Sequence, residues 1–142
     1  MNATVRAWLA LARVRTITAL PYRVWQASLL DALSPPDPGA VGMPDPVVLQ
    51  GFRIAARNHP GRPSCLRRAM ALNALLRTRG CPARVIIGVA RGADGIDAHA
   101  WVEVRGAVIE DAPDVARRFT PISASPQGTL TPQFARSIVT SP

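Results

Sequence analysis

A chain of 142 residues that is 48% hydrophobic can bury one core without metal or disulfide, and it is too apolar for general disorder. Its 17 basic residues, all arginine, face nine acidic ones, for a net charge of +8 that keeps nucleic acid, an acidic membrane surface and an acidic peptide in play without choosing among them. Arg6, Arg13 and Arg15 break up the apolar N-terminus, so neither a cleaved signal nor a transmembrane span is expected.

In chain order, residues 2–15 and 22–33 carry apolar residues at helical spacing, with Pro21 between them. Their arginines Arg6, Arg13, Arg15 and Arg23 are expected to form a basic face that docks a partner. Residues 34–46 are a connector rich in Pro and Gly. A helix is expected over "DPVVLQGFRIAARN", with Asp45 as its N-cap and Pro46 in its first position. "HPGRP" ends it, and His59 in that loop is expected to be exposed.

The best-marked helix starts after Ser64 as N-cap and runs to about Arg79, with Gly80 at its stop and Pro82 beyond. Cys65, Ala69, Leu72 and Leu76 recur at i, i+4, i+7 and i+11, which places them on one core-facing stripe with Cys65 in the first turn. "ARVIIGVA" lacks helical period and reads as a buried strand, and "RGADG" as a turn. "DAHAWVEV" alternates, with His99, Trp101 and Glu103 on one face and Ala100, Val102 and Val104 on the other. "RG" marks a hairpin and "AVIED" the returning strand. Residues 123–142 read as a peripheral tail, and the whole as one α+β domain, with lead-in and connector over 1–44 and a core over 45–122.

The chemistry starts from Cys65. A helix N-terminus offers unpaired N–H groups and partial positive charge, which stabilise a thiolate and later an oxyanion. A thiol nucleophile also needs a base, and the histidines are His59 and His99. His99 lies mid-strand between two alanines, where its ring needs a polar partner. A two-residue turn at Arg105 and Gly106 would set Asp111 opposite Ala100, on the wrong face. A three-residue loop, Val104 to Gly106, pairs His99 with Asp111, with Cβ atoms about 4.5–5.5 Å apart and within reach of a carboxylate–imidazole bond. Glu110 in another register, or Asp97 on the face of His99, are alternative acids. Cys81 falls about 24 Å along the helix from Cys65, too far for a disulfide.

The segments "CLRRAMALNALLRTRGCPARVIIGVARG" and "AHAWVEVRGAVIED" resemble the transglutaminase-like core of the lasso-peptide B proteins, which are leader peptidases. The resemblance runs over about residues 45–122, and "LARVRTITALPYRVW" is similar to that family's helical lead-in. It implies a papain-like cysteine protease that cleaves the leader from a ribosomally made precursor, so that a partner cyclase can close a macrolactam. It also implies Cys65 as nucleophile, His99 as base and Asp111 as acid. With no room for a recognition domain before Cys65, the chain is expected to be the stand-alone protease half, served by a separate leader-recognition protein in the cytoplasm.

Such a mechanism needs no metal or cofactor. Trp101, on the face of His99, is expected to wall the substrate pocket. Two other readings stand beside this one. An acyl-enzyme passed to an amine would make the chain a transglutaminase-type acyltransferase, and the charge alone would suit a non-enzymatic basic binding module. For nucleic acid, the seven aromatic residues (three Trp, three Phe, one Tyr) form no evident stacking stripe, so none is expected as a partner.

Overall fold

The computed structural model describes residues 1–122; the expected tail, 123–142, lies outside the described residues. Helix α1 spans Ala3–Thr18, capped by Asn2, whose side chain accepts from the Thr4 N–H at 2.9 Å. It buries Ala7, Leu11, Val14 and Thr18, one stripe at i, i+4, i+7 and i+11. Helix α2 (Tyr22–Leu33) follows the break at Pro21, and α3 (Pro46–Asn58) opens with Asp45 accepting from the Val47 N–H. Gly51 lets α3 cross α1 closely, since a Cβ there would stand 2.8 Å from the Ala3 and Thr4 backbone.

Helix α4 (Cys65–Arg77) is central. Besides Ala69, Leu72 and Leu76 of the expected stripe, with Cys65 half-buried at its start, it buries Leu66, Met70, Ala71 and Asn73, because α1 and α2 cover one side and the sheet another. It ends as its sequence marks, with Gly80 left-handed at φ 70°. The Cys81 N–H donates to the Leu76 carbonyl and the Gly80 N–H to that of Arg77, a Schellman closure. Arg77 ties the helix end into the fold by donating to the carbonyls of Ala83, Asp31 and Ser34.

Strands β1 (Ala83–Gly92), β2 (Gly95–Val104), β3 (Ala107–Ile109) and β4 (Thr120–Pro121) form an antiparallel sheet in the order β3-β2-β1-β4. The short helix α5 (Val115–Arg118) precedes β4, and both are too short to carry a periodic pattern in the sequence. The alternation expected for β2 holds. Ala100, Val102 and Val104 join Val85 and Ile87 against the helices, while Trp101 packs with Ile86, Val115, Val108 and Phe119 on the other face.

The hairpin register departs from the three-residue loop. Val104 pairs with Ala107, Glu103 with Val108 and Val102 with Ile109, which leaves a two-residue turn at Arg105 and Gly106. Both have positive φ, 51° and 81°, the type I′ geometry that matches strand twist. Arg105 tolerates it while its guanidinium donates to the Val41 carbonyl and the Met43 sulfur.

Candidate active site

Cys65 opens α4, with Ser64 as N-cap accepting from the Arg67 N–H. Its position at the sheet follows from the shortness of β3, which pairs with residues 102–104 of β2 and no further. The β2 edge beyond is left open toward the helix, and there the Ala100 N–H donates to the Cys65 sulfur. Burial alone would push this thiol up. Hydrogen bonds from His99 and from the Ala100 and Leu66 amides, with the His99 charge, outweigh burial and hold it below the usual thiol value.

His99 Nε2 lies 2.8 Å from Asp111 Oδ2, which leaves Nδ1 as the nitrogen for the thiol. The bonds to Asp111 and then Cys65 favour the imidazolium, and despite partial burial the ring is pushed up to about 9. Burial works against the Asp111 carboxylate, but the bond from His99, the Ala112 N–H, and the charges of His99 and Arg68 lower it. All three shifts act in the direction that favours thiolate, imidazolium and carboxylate together. The His99 ring is braced by Phe119 and Trp101, at centroid distances of 5.2 and 6.3 Å.

With a two-residue turn, extending the ladder puts position 111 across from Ala100. Asp111 nonetheless reaches His99, because β3 stops at Ile109 and Glu110 is left-handed, with φ 58°. That one residue turns the chain off the pleat and undoes the parity that would point Asp111 away. The Glu110 carboxylate is engaged by Arg53 at 2.7 Å, and Asp97 stands against Gly92.

Cys65, Arg68, His99, Glu110 and Asp111 line one small cleft of about 140 Å³, closed behind by Phe52 and Leu72. The transglutaminase-like superfamily model matches residues 4–124. The chain belongs to the transglutaminase-like superfamily. Its helix-borne cysteine beside a small antiparallel sheet is in keeping with a superfamily of cysteine-dependent enzymes, peptidases and acyltransferases among them. No curated protein and no solved structure was found to match the chain.

Other expectations need correcting. Trp101 touches the cleft but is 1% exposed, its indole N–H donating to Glu103, so it backs the His99 ring rather than offering a substrate wall. His59 is buried at 6% exposure, against Trp8 and with Nδ1 3.0 Å from the Pro60 carbonyl. Arg6, Arg13, Arg15 and Arg23 are all exposed but do not form one face. At 100° per residue Arg6 and Arg13 align two turns apart, while Arg15 lies about 180° round from Arg6 and donates to the Pro60 carbonyl. Arg23 is on α2. Arg13 rims a groove between α1, α2 and α4, on a different face of α4 from Cys65. Cys81 is buried and free, its thiol pushed up by burial. Nothing in the sequence distinguishes Arg53 and Arg68 from the other arginines.

Proposed function

We propose that this chain is a cysteine peptidase that removes the leader from a ribosomally made lasso-peptide precursor before a partner cyclase forms the macrolactam. The observation that carries the reading is that Cys65, at the N-terminus of α4, shares one small cleft with His99, whose Nε2 is bonded to Asp111 Oδ2 at 2.8 Å. The leader as substrate rests on the resemblance of the segments around Cys65 and His99 to the lasso-peptide B proteins.

In this reading the Cys65 thiolate attacks the scissile carbonyl, and the resulting oxyanion is met by first-turn amides of α4, that of Cys65 among them. The His99 imidazolium gives its proton to the departing amine as the C–N bond breaks, leaving an acyl-thioester and the freed core peptide. Neutral His99 then takes a proton from water as it attacks the thioester, releasing the leader acid and the thiol. Asp111 holds the ring orientation and stabilises the imidazolium. No step needs a metal or a cofactor. Arg6 and Arg13, exposed and aligned on one side of α1, serve to dock the leader or a separate recognition protein, and a reduced Cys65 suits the cytoplasm. Among the described residues no helix is long and apolar enough to cross a membrane.

The experiment is incubation of the chain with its precursor and, where needed, the recognition protein, followed by mass analysis. Hydrolysis yields two fragments whose masses sum to precursor plus one water. An amide-linked product with loss of ammonia or an amine would instead mark an acyltransferase, and an intact precursor would sink the peptidase reading.

A further inference from the structure

Asp111 faces His99 where Glu110 departs from the strand, and Glu110 is bonded to a residue of a distant helix. Glu110 is a residue with a Cβ in the left-handed region, at φ 58°, a conformation that needs support from its surroundings. Its side chain is 11% exposed, and its Oε2 accepts from Arg53 Nε at 2.7 Å. Arg53, its own side chain 51% exposed, stands on α3 next to Phe52, which is buried in the core. Both Phe52 and Glu110 line the cleft that contains Cys65.

We propose that Arg53 and Glu110 are positioning residues, an α3-to-hairpin clamp that holds Glu110 left-handed and so presents Asp111 to His99. The clamp rests on the reading of Cys65, His99 and Asp111 as a working unit, and it reaches the thiol through that unit alone. The charged groups around Asp111 are His99 from β2, Arg68 from α4 and, through Glu110, Arg53 from α3. Loosening the turn withdraws Asp111 and leaves His99 with less stabilisation as imidazolium, so Cys65 loses part of what keeps it ionised.

The test needs no peptide substrate. The rate of Cys65 alkylation by iodoacetamide is followed against pH, with mass mapping to separate it from buried Cys81. Wild type is expected to react as thiolate with a midpoint below that of an ordinary thiol. Arg53→Met keeps the aliphatic stem and is expected to raise the midpoint and slow reaction at pH 6 by about fivefold or more while still unfolding cooperatively. Glu110→Gly removes the carboxylate but takes the left-handed turn without strain, so it should fall between wild type and Glu110→Ala. The charge swap Arg53→Glu with Glu110→Arg should restore the profile, and it decides the matter if Arg53→Met does not fold. Profiles of Arg53→Met and Glu110→Ala that superimpose on wild type, or a folded charge swap no better than Glu110→Ala, would overturn the clamp. A wild-type midpoint at the ordinary thiol value, unmoved by His99→Ala, overturns the underlying ion pair and the clamp with it. Failure to cleave a chosen precursor bears on the substrate and leaves the labelling result standing.

Discussion

His99 Nε2 and Asp111 Oδ2 stand 2.8 Å apart across a hairpin whose register, carried one pair beyond Glu110, aligns Ala100 with position 111. The pairing is made by a left-handed residue at the end of β3 rather than by the ladder. Asp111→Asn can keep the shape of this contact while losing the charge that favours the imidazolium. It is expected to lower precursor cleavage by about 10²–10⁴-fold with little loss of thermal stability. Cleavage within a few-fold of wild type would show that Asp111 plays no such part.

Cys65→Ala removes the sulfur that would form the acyl-enzyme, and its small side chain fits a half-buried helix start. Cleavage should fall by about 10³-fold or more, with the fold retained by circular dichroism. A folded variant that still cleaves would require another nucleophile.

The pH profile follows from the signs of the shifts. Cys65 sits below its usual thiol value and His99 is raised to about 9, so the ion pair exists between those two titrations. Cleavage measured as kcat/KM should rise with pH as the thiolate forms, below the range of an ordinary thiol, and fall as the imidazolium loses its proton near 9. In Asp111→Asn the strongest support for the imidazolium is gone, so the alkaline limb should move to lower pH. An unchanged alkaline limb in that variant would assign it to some other group.

Gly88 pairs with His99 across β1 and β2, and a Cβ there would stand 2.8–2.9 Å from the Trp101 ring and Phe119 Cβ. These two rings brace His99. Gly88→Ala is therefore expected to destabilise the chain by about 1–3 kcal/mol, read from denaturant midpoints, and to slow Cys65 alkylation as well. Stability equal to wild type would show that the outer face of the sheet has room to give.

Arg77 spends its guanidinium on three carbonyls, from Ala83, Asp31 and Ser34, where α2, α4 and β1 meet. Arg77→Met should cost about 2–4 kcal/mol by leaving these acceptors to water or to nothing, while the midpoint of Cys65 alkylation stays in place. A shift in that midpoint would mean that the far end of α4 is mechanically linked to its first turn.

The sequence by itself determined what depends on near neighbours. Asp45 with Pro46, Ser64 and Gly80 mark helix ends because caps and left-handed stops are local backbone chemistry, and they stand where the structure has them. Periodicity placed Cys65 in the first turn of a core helix and His99 mid-strand on the face of Trp101. Tertiary structure decided the rest. The face of Asp111 turns on the φ of one residue, Glu110, and on its ion pair with Arg53, 57 positions away in the chain. His59 and Trp101 are buried by elements that no local pattern announces, and the arginines of α1 part company because the buried stripe divides them. Strand β4 pairs with β1 from more than 30 residues on, through two residues too few to carry an alternation of their own. Local rules specify where an element starts and which way its side chains alternate. Which elements then meet is a matter of the whole chain packing at once, and here it is packing that completes the neighbourhood of the thiol.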